Sequence, residues 1–192
     1  MVKEICGILL ASGSGSRFGS DKLSHPLEPG GEAIAVHAAR HLVAAVPRSM
    51  AVVRSGSSRL AQLLREQGLE IAECHDADKG MGHTLAAGVL AGNDADGWVV
   101  ALADMPGIAP ETIARVAQSL RDGALIVAPC YRGERGHPVG LAGCFRDQLL
   151  ALEGDAGARA IVAAHREEIT LIDVDDAGVT KDIDTPADLP GK

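Results

Sequence analysis

The chain has 192 residues, enough for one domain with a substantial core, and its 46% hydrophobic content excludes a disordered chain. Aromatic residues make up only 2% and the net charge is −8, so neither base stacking nor a broad basic footprint is on offer, and no nucleic-acid partner is expected. No apolar run approaches the roughly 18 residues that span a bilayer, no signal-peptide pattern is present, and the four cysteines (Cys6, Cys74, Cys130, Cys144) form no CxxC pair; a cytoplasmic setting with reduced thiols and no membrane partner is the expectation.

In chain order, the apolar run Ile5 to Ala11 reads as a buried strand that empties into a loop of small and polar residues, SGSGSRFGSDK. Gly13, Gly15 and Gly19 carry no Cβ, so backbone N–H groups can turn inward, and Arg17 and Lys22 add positive charge; together they make an anion cradle. A mostly apolar helical pattern covers Gly31 to Val46 and stops at Pro47. Ser49 to Arg54 reads as a strand, and Ser57 or Ser58 can cap a helix that ends at Gly68. After a short strand, Leu69 to Glu73, a polar loop leads to a small-residue helix from about Thr84 to Ala91. Gly97 to Ala103 is a continuous apolar run of strand length, as expected where both sheet faces are covered. Pro110 opens a helix carrying Ile113, Val116, Ala117 and Leu120 on one face. Ala124 to Pro129 is another buried strand.

From Tyr131 the rhythm changes. YRGERGHPVGL predicts a strand, a turn and a returning strand, antiparallel at one side of the sheet; helices near Ala142–Leu152 and Asp155–Ala164, a strand at Ile169–Val174 and a polar tail complete the chain. Alternating strands and helices predict a single α/β domain over residues 1–192, Rossmann-like and doubly wound, with a mostly parallel sheet and a small antiparallel element. Ligands of such sheets sit at the carboxyl ends of the strands. Asp104 directly follows a buried strand there, and Met105-Pro106 turns the chain sharply after it. It stands too far ahead of Pro110 to cap that helix. A carboxylate at this place suits Mg²⁺, which takes one or two carboxylates plus phosphates and waters.

The loop is neither of the two best-known phosphate motifs. A dinucleotide fingerprint needs GxGxxG, but Gly13 and Gly15 are followed by Phe18 and then Gly19; a P-loop needs GK[ST], but Lys22 lies between Asp21 and Leu23. What it does match is a pattern of the form Leu-x-Ala/Ser-Gly-x-Gly-x-Arg-Phe/Met-Gly-x-x-Lys. LLASGSGSRFGSDK resembles the signature loop of the molybdenum-cofactor and sugar-nucleotide nucleotidyltransferases. KGMGHTLAAGV, ALADMPGIAPETI, RGHPVGL, EGDAGAR and DIDTPADL follow in that family's order across essentially the whole chain, and together they look most like its molybdenum cofactor cytidylyltransferase branch. Ser12 departs from the Ala, or the Gly of guanylyl-transferring relatives, that this position usually carries.

The resemblance implies a nucleotide-diphospho-sugar transferase type of fold. It also implies transfer of CMP from CTP to molybdopterin with release of pyrophosphate and Mg²⁺ as cofactor, and possible hand-over of the product to a recipient molybdoenzyme. It places Leu10, Ala11, Ser12 and Gly13 at the base, Arg17 and Lys22 on the triphosphate, and Gly80 and Thr84 at base and ribose. Asp184 matches the second metal ligand, although Asp182 would face the same side and a cap for a short terminal helix fits as well. Thr84 reads equally as an N-cap. His137 is either a turn histidine or a contact of the pterin acceptor. Asp155 reads first as a helix cap, with Arg159 near enough to meet an acceptor phosphate. Rival readings are GTP as donor or another phosphorylated acceptor, a dinucleotide-binding oxidoreductase, and a non-catalytic protein that binds the cofactor for delivery.

Overall fold

The computed structural model describes residues 3–13, 18 and 21–190. Among these, eight strands form one sheet: β1 (Ile5–Ala11), β2 (Ser49–Arg54), β3 (Glu70–Cys74), β4 (Gly97–Leu102), β5 (Ile126–Tyr131), β6 (Glu134–Arg135), β7 (Val139–Ala142) and β8 (Ile169–Asp173). The order is β3-β2-β1-β4-β7-β5, with β6 and β8 also paired to β5. Pairs β1–β2, β2–β3, β1–β4 and β5–β8 are parallel; β7 is antiparallel to both β4 and β5.

Period-2 alternation in β1 explains why the sheet is covered on both sides. All seven of its residues are buried. Ile5, Leu9 and Ala11 join a core built with α1 (Ile34–Ala45), α2 (Ser58–Glu66) and α4 (Pro110–Arg121). Cys6, Ile8 and Leu10 point the other way, into a second core with α3 (Met81–Ala91), α5 (Arg146–Leu150) and α6 (Arg159–Ala164). Both faces of the strand are therefore apolar, and its polar neighbours begin only where the sheet ends. On the second face α3 lies very close to the sheet: a Cβ on Gly88 would stand 2.8 Å from Ile8 Cγ2 and 2.9 Å from Val52 Cγ2.

Three expectations need correcting, and the tail adds an observation. The returning strand β7 lies inside the sheet rather than at one side, filling the gap between β4 and β5; Gly140 lets the α4 side chains Val116 and Leu120 approach its backbone. Helix α3 begins at Met81, three residues ahead of Thr84, because the Gly82 N–H finds the Gly154 carbonyl at 2.7 Å and no side-chain cap is needed. Asp155 does not cap α6, whose N-cap is Ala158. The polar tail is docked: Val179, Ile183 and Leu189 are buried, the last two in a small cluster with Phe18 and Ile34. Replacing Gly88 by Val forces branched methyls against Ile8 and Val52; we expect a loss of about 1–3 kcal/mol in stability by urea denaturation, with an unchanged denaturation midpoint as the contrary result.

Candidate functional site

The site lies where the parallel strands end. Ala103 donates its backbone N–H to the Leu10 carbonyl (3.1 Å), so β1 and β4 finish side by side and the loop after one faces the loop after the other. Asp104 stands one residue further on, half-buried, between the buried Ala103 and Met105. The tail reaches the same point, because the Ile183 N–H donates to the Asp104 carbonyl at 2.9 Å. With Ile183 buried on one side of this extended segment, the flanking Asp182 and Asp184 are thrown to the other. One carboxylate oxygen from each of Asp104, Asp182 and Asp184 can be chosen so that all lie within 4.8 Å of one another. Thus both tail carboxylates reach the cluster, and neither Asp182 nor Asp184 is set apart from Asp104.

Lys22 closes the group. Its side chain is 8% exposed, and Nζ donates to Asp104 Oδ2 at 2.8 Å and to Asp184 Oδ1 at 3.4 Å. A cation so deeply placed requires such partners, since burial without them is costly. The tail is fixed locally by a capping box in which Asp188 accepts from the backbone and hydroxyl of Thr185; those bonds hold the Asp188 carboxyl below its ordinary range. The cap expected at Asp184 or Thr185 is therefore made by Thr185, and Asp184 turns to the cluster.

Next to Lys22 is a cleft of about 310 Å³ whose walls include Leu10, Ser12, Gly13, Arg54, Gly80 and Asp104. Ser12 Oγ lies 2.7 Å from Thr84 Oγ1, and Arg54 Nη2 donates to the Ser12 carbonyl at 3.5 Å. Thr84 is fully buried, so its hydroxyl orders Ser12 from beneath rather than facing the cleft. Ala11 is buried as well. The predicted Arg17, with Gly15 and Gly19, lies outside the described residues. Residues that sequence reasoning missed are Arg54, the last of β2 and so findable from the strand-end rule, and the cleft-lining Asp78 and Asp155, which carry no such signal.

A second pocket of about 160 Å³ continues from the first and shares Leu10, Met81 and Leu102 with it. Its floor is apolar, and Arg135, His137 and Arg159 stand around it, so the structure brings the predicted His137 and Arg159 together. Burial pushes the His137 imidazole below its usual value, Asp104 pulls it back up, and Arg159 and Arg135 oppose Asp104. Burial thus favours the neutral ring, whose buried Nδ1 has no protein partner among the described residues. Because the folded protein disfavours the imidazolium, His137 contributes stability above the unfolded value near pH 6.5, and this is lost as pH falls below it. His137→Asn should therefore flatten the fall in denaturation midpoint between about pH 7 and pH 5; an equally steep fall in the variant would contradict the burial argument.

The arrangement combines hard oxygen ligands, a buried ammonium and an adjoining apolar pocket, a set suited to a divalent cation and a polyanion. Over 189 aligned residues the chain is 28% identical to nicotine blue oxidoreductase of Paenarthrobacter nicotinovorans, covering 94% of this chain and 92% of that one. It is 26% identical to the purine catabolism protein PucB of Bacillus subtilis, covering 95% and 92%. Among solved structures it superposes on Rv0371c of Mycobacterium tuberculosis with a TM-score of 0.84 at 24% identity, over 98% of this chain and 96% of that one. A manganese complex of the same protein gives 0.78 at 23%, over 96% and 95%. The fold is that of the nucleotide-diphospho-sugar transferases. Residues 7–169 match the MobA-like NTP transferase domain, and the chain belongs to that family.

Proposed function

We propose that the protein is a Mg²⁺-dependent cytidylyltransferase that joins CMP from CTP to the terminal phosphate of molybdopterin and releases pyrophosphate. The observation that carries the reading is the meeting of Lys22 with carboxylates from two distant parts of the chain at the open end of the sheet. Nucleotidyl transfer needs no enzyme nucleophile. An acceptor phosphate oxygen bonds to the α-phosphorus of the triphosphate while the bond from that phosphorus to the α,β-bridging oxygen breaks, and the electron pair leaves with pyrophosphate. Acceleration comes from positioning and from neutralising charge.

The site residues divide the work. Leu10 and the Ser12–Gly13 backbone face the base, with Ser12 held by Thr84 and Arg54. Lys22, with Arg17, stabilises the phosphate oxygens. The donor set fits a small hard cation, being made of carboxylates alone, one oxygen of each lying within 4.8 Å of the others; Asp104 and Asp184, with Asp182 beside them, would hold it. When bound, Mg²⁺ supplies Lewis-acid neutralisation of the triphosphate. The manganese complex of the Rv0371c structure supports a divalent ion for this fold. On the acceptor side His137 offers a neutral ring and Arg159 a charge for phosphate, over an apolar floor able to take a flat heterocycle.

An oxidoreductase activity appears in the name of one 28% identical relative. In this chain the glycine spacing departs from a dinucleotide fingerprint, and hydride transfer has no use for three converging carboxylates. Delivery of the product to a recipient molybdoenzyme in the cytoplasm completes the proposal, and no helix among the described residues is long and apolar enough to cross a membrane.

The test is pyrophosphate release with each of the four NTPs and Mg²⁺, with and without molybdopterin. Turnover with CTP that depends on molybdopterin is expected; turnover with GTP instead would reassign the base, and none with any NTP would remove the enzymatic reading. Asp104→Asn should lower kcat by about 10²-fold or more while the far-ultraviolet circular dichroism and melting temperature stay near those of the parent; near-normal turnover would show that Asp104 holds no metal.

A further inference from the structure

Lys22 does more in this structure than point a charge at the cleft. Its ammonium donates to Asp104 Oδ2 and Asp184 Oδ1, the carboxylates that, with Asp182, make the oxygen cluster. A lysine hydrogen-bonded to those carboxylates and a divalent cation coordinated by them compete for the same negative charge, and two positive groups sharing one such site repel strongly. Binding of the one therefore weakens binding of the other. Lys22 cannot simply swing into solvent, because its side chain is more than nine-tenths buried and lies between the tail and the end of β4. An ammonium in that position needs another anion once its carboxylates are taken. The cleft that Lys22 lines together with Ser12, Gly13 and Arg54 is where an anion of the required charge density enters.

We infer that Lys22 is a resident counter-ion of the Asp104–Asp184 pair and disfavours a divalent cation there until a triphosphate draws the ammonium away, so that metal and nucleotide bind as a coupled pair. This rests on the metal and triphosphate reading proposed above. The exchange makes no covalent bond; it moves one ammonium from two carboxylates to phosphate oxygens and leaves the carboxylates to the metal. Coupling between the two ligands is then reciprocal, as linkage demands: the metal must tighten the nucleotide by the factor by which the nucleotide tightens the metal.

The experiment measures Mn²⁺ binding by electron paramagnetic resonance of the free ion, with and without the α,β-methylene analogue of CTP, corrected for Mn²⁺ held by the analogue alone. The parent protein should bind Mn²⁺ at least about tenfold tighter with the analogue than without it. Lys22→Met, lacking the ammonium, should bind Mn²⁺ without nucleotide at least about tenfold tighter than the parent, and the further gain from the analogue should shrink to about threefold or less. Lys22→Gln, read beside it, guards against a folding defect peculiar to the methionine variant, and Lys22→Arg should restore weak binding because the cation is kept. A merely structural lysine would lower the melting temperature in all three without tightening Mn²⁺ in any. Folded Lys22→Met and Lys22→Gln proteins that bind Mn²⁺ no tighter than the parent would overturn the inference alone. An unchanged Mn²⁺ affinity in Asp104→Asn with the analogue present would instead overturn the metal reading, and this inference with it.

Discussion

Lys22 carries a positive charge below the surface, and a group of that kind persists there by holding anions at hydrogen-bond distance. Its two anions come from far along the chain: Asp104 from the end of β4 and Asp184 from the tail, 162 residues away from the lysine in sequence. Neutralising one buried ammonium therefore joins the first loop, the centre of the sheet and the last segment. The apolar cluster of Phe18, Ile34, Ile183 and Leu189 repeats that connection without charge, fastening the first loop to the tail on the far side of Ile183. Electrostatic pairing and apolar packing thus enforce the same geometry from opposite faces of one extended segment.

The two pockets adjoin. Leu10, Met81 and Leu102 belong to both, so whatever occupies the larger cleft touches whatever occupies the smaller across three side chains. The polar groups are divided between them, with Lys22 and Asp104 in the cleft and Arg135, His137 and Arg159 around the smaller pocket. The electrostatic link between Asp104 and His137 spans the division. Carboxylates and Lys22 thus mark the larger cleft, and cationic and imidazole side chains the smaller one, with Leu10, Met81 and Leu102 common to both.

How much of this was legible in the sequence depended on how local the cause was. The position of Asp104 was readable because it follows from one strand and the rule that ligands sit at strand ends. The run Ser49 to Arg54 was bounded correctly because its flanking turns are written in Pro47 and Gly56. The start of α3 was not, because the group that satisfies its first turn is a backbone carbonyl at Gly154, distant in sequence and invisible to any capping rule. Asp155 failed for the related reason that it lies against Gly80, where a Cβ would come within 2.6 Å of its Oδ1. Placement of β7 inside the sheet likewise turned on a gap between β4 and β5 that no local pattern records. For the site, alternation along Asp182–Ile183–Asp184 put both carboxylates on one side, while only the position of Asp104 and Lys22 showed that both belong to the same cluster.

The docked tail has a consequence for the chain as it is made. Residues 179–189 follow every strand of the sheet in sequence, yet they bring Asp182 and Asp184 to the cluster and bury Val179, Ile183 and Leu189. Without those residues the first core lacks Val179, and Lys22 lacks one of its two carboxylate partners. Completion of the site is therefore reserved to the last segment: a polypeptide halted before residue 182 would lack Asp182 and Asp184, and with them one partner of Lys22 and the apolar cover over Phe18 and Ile34.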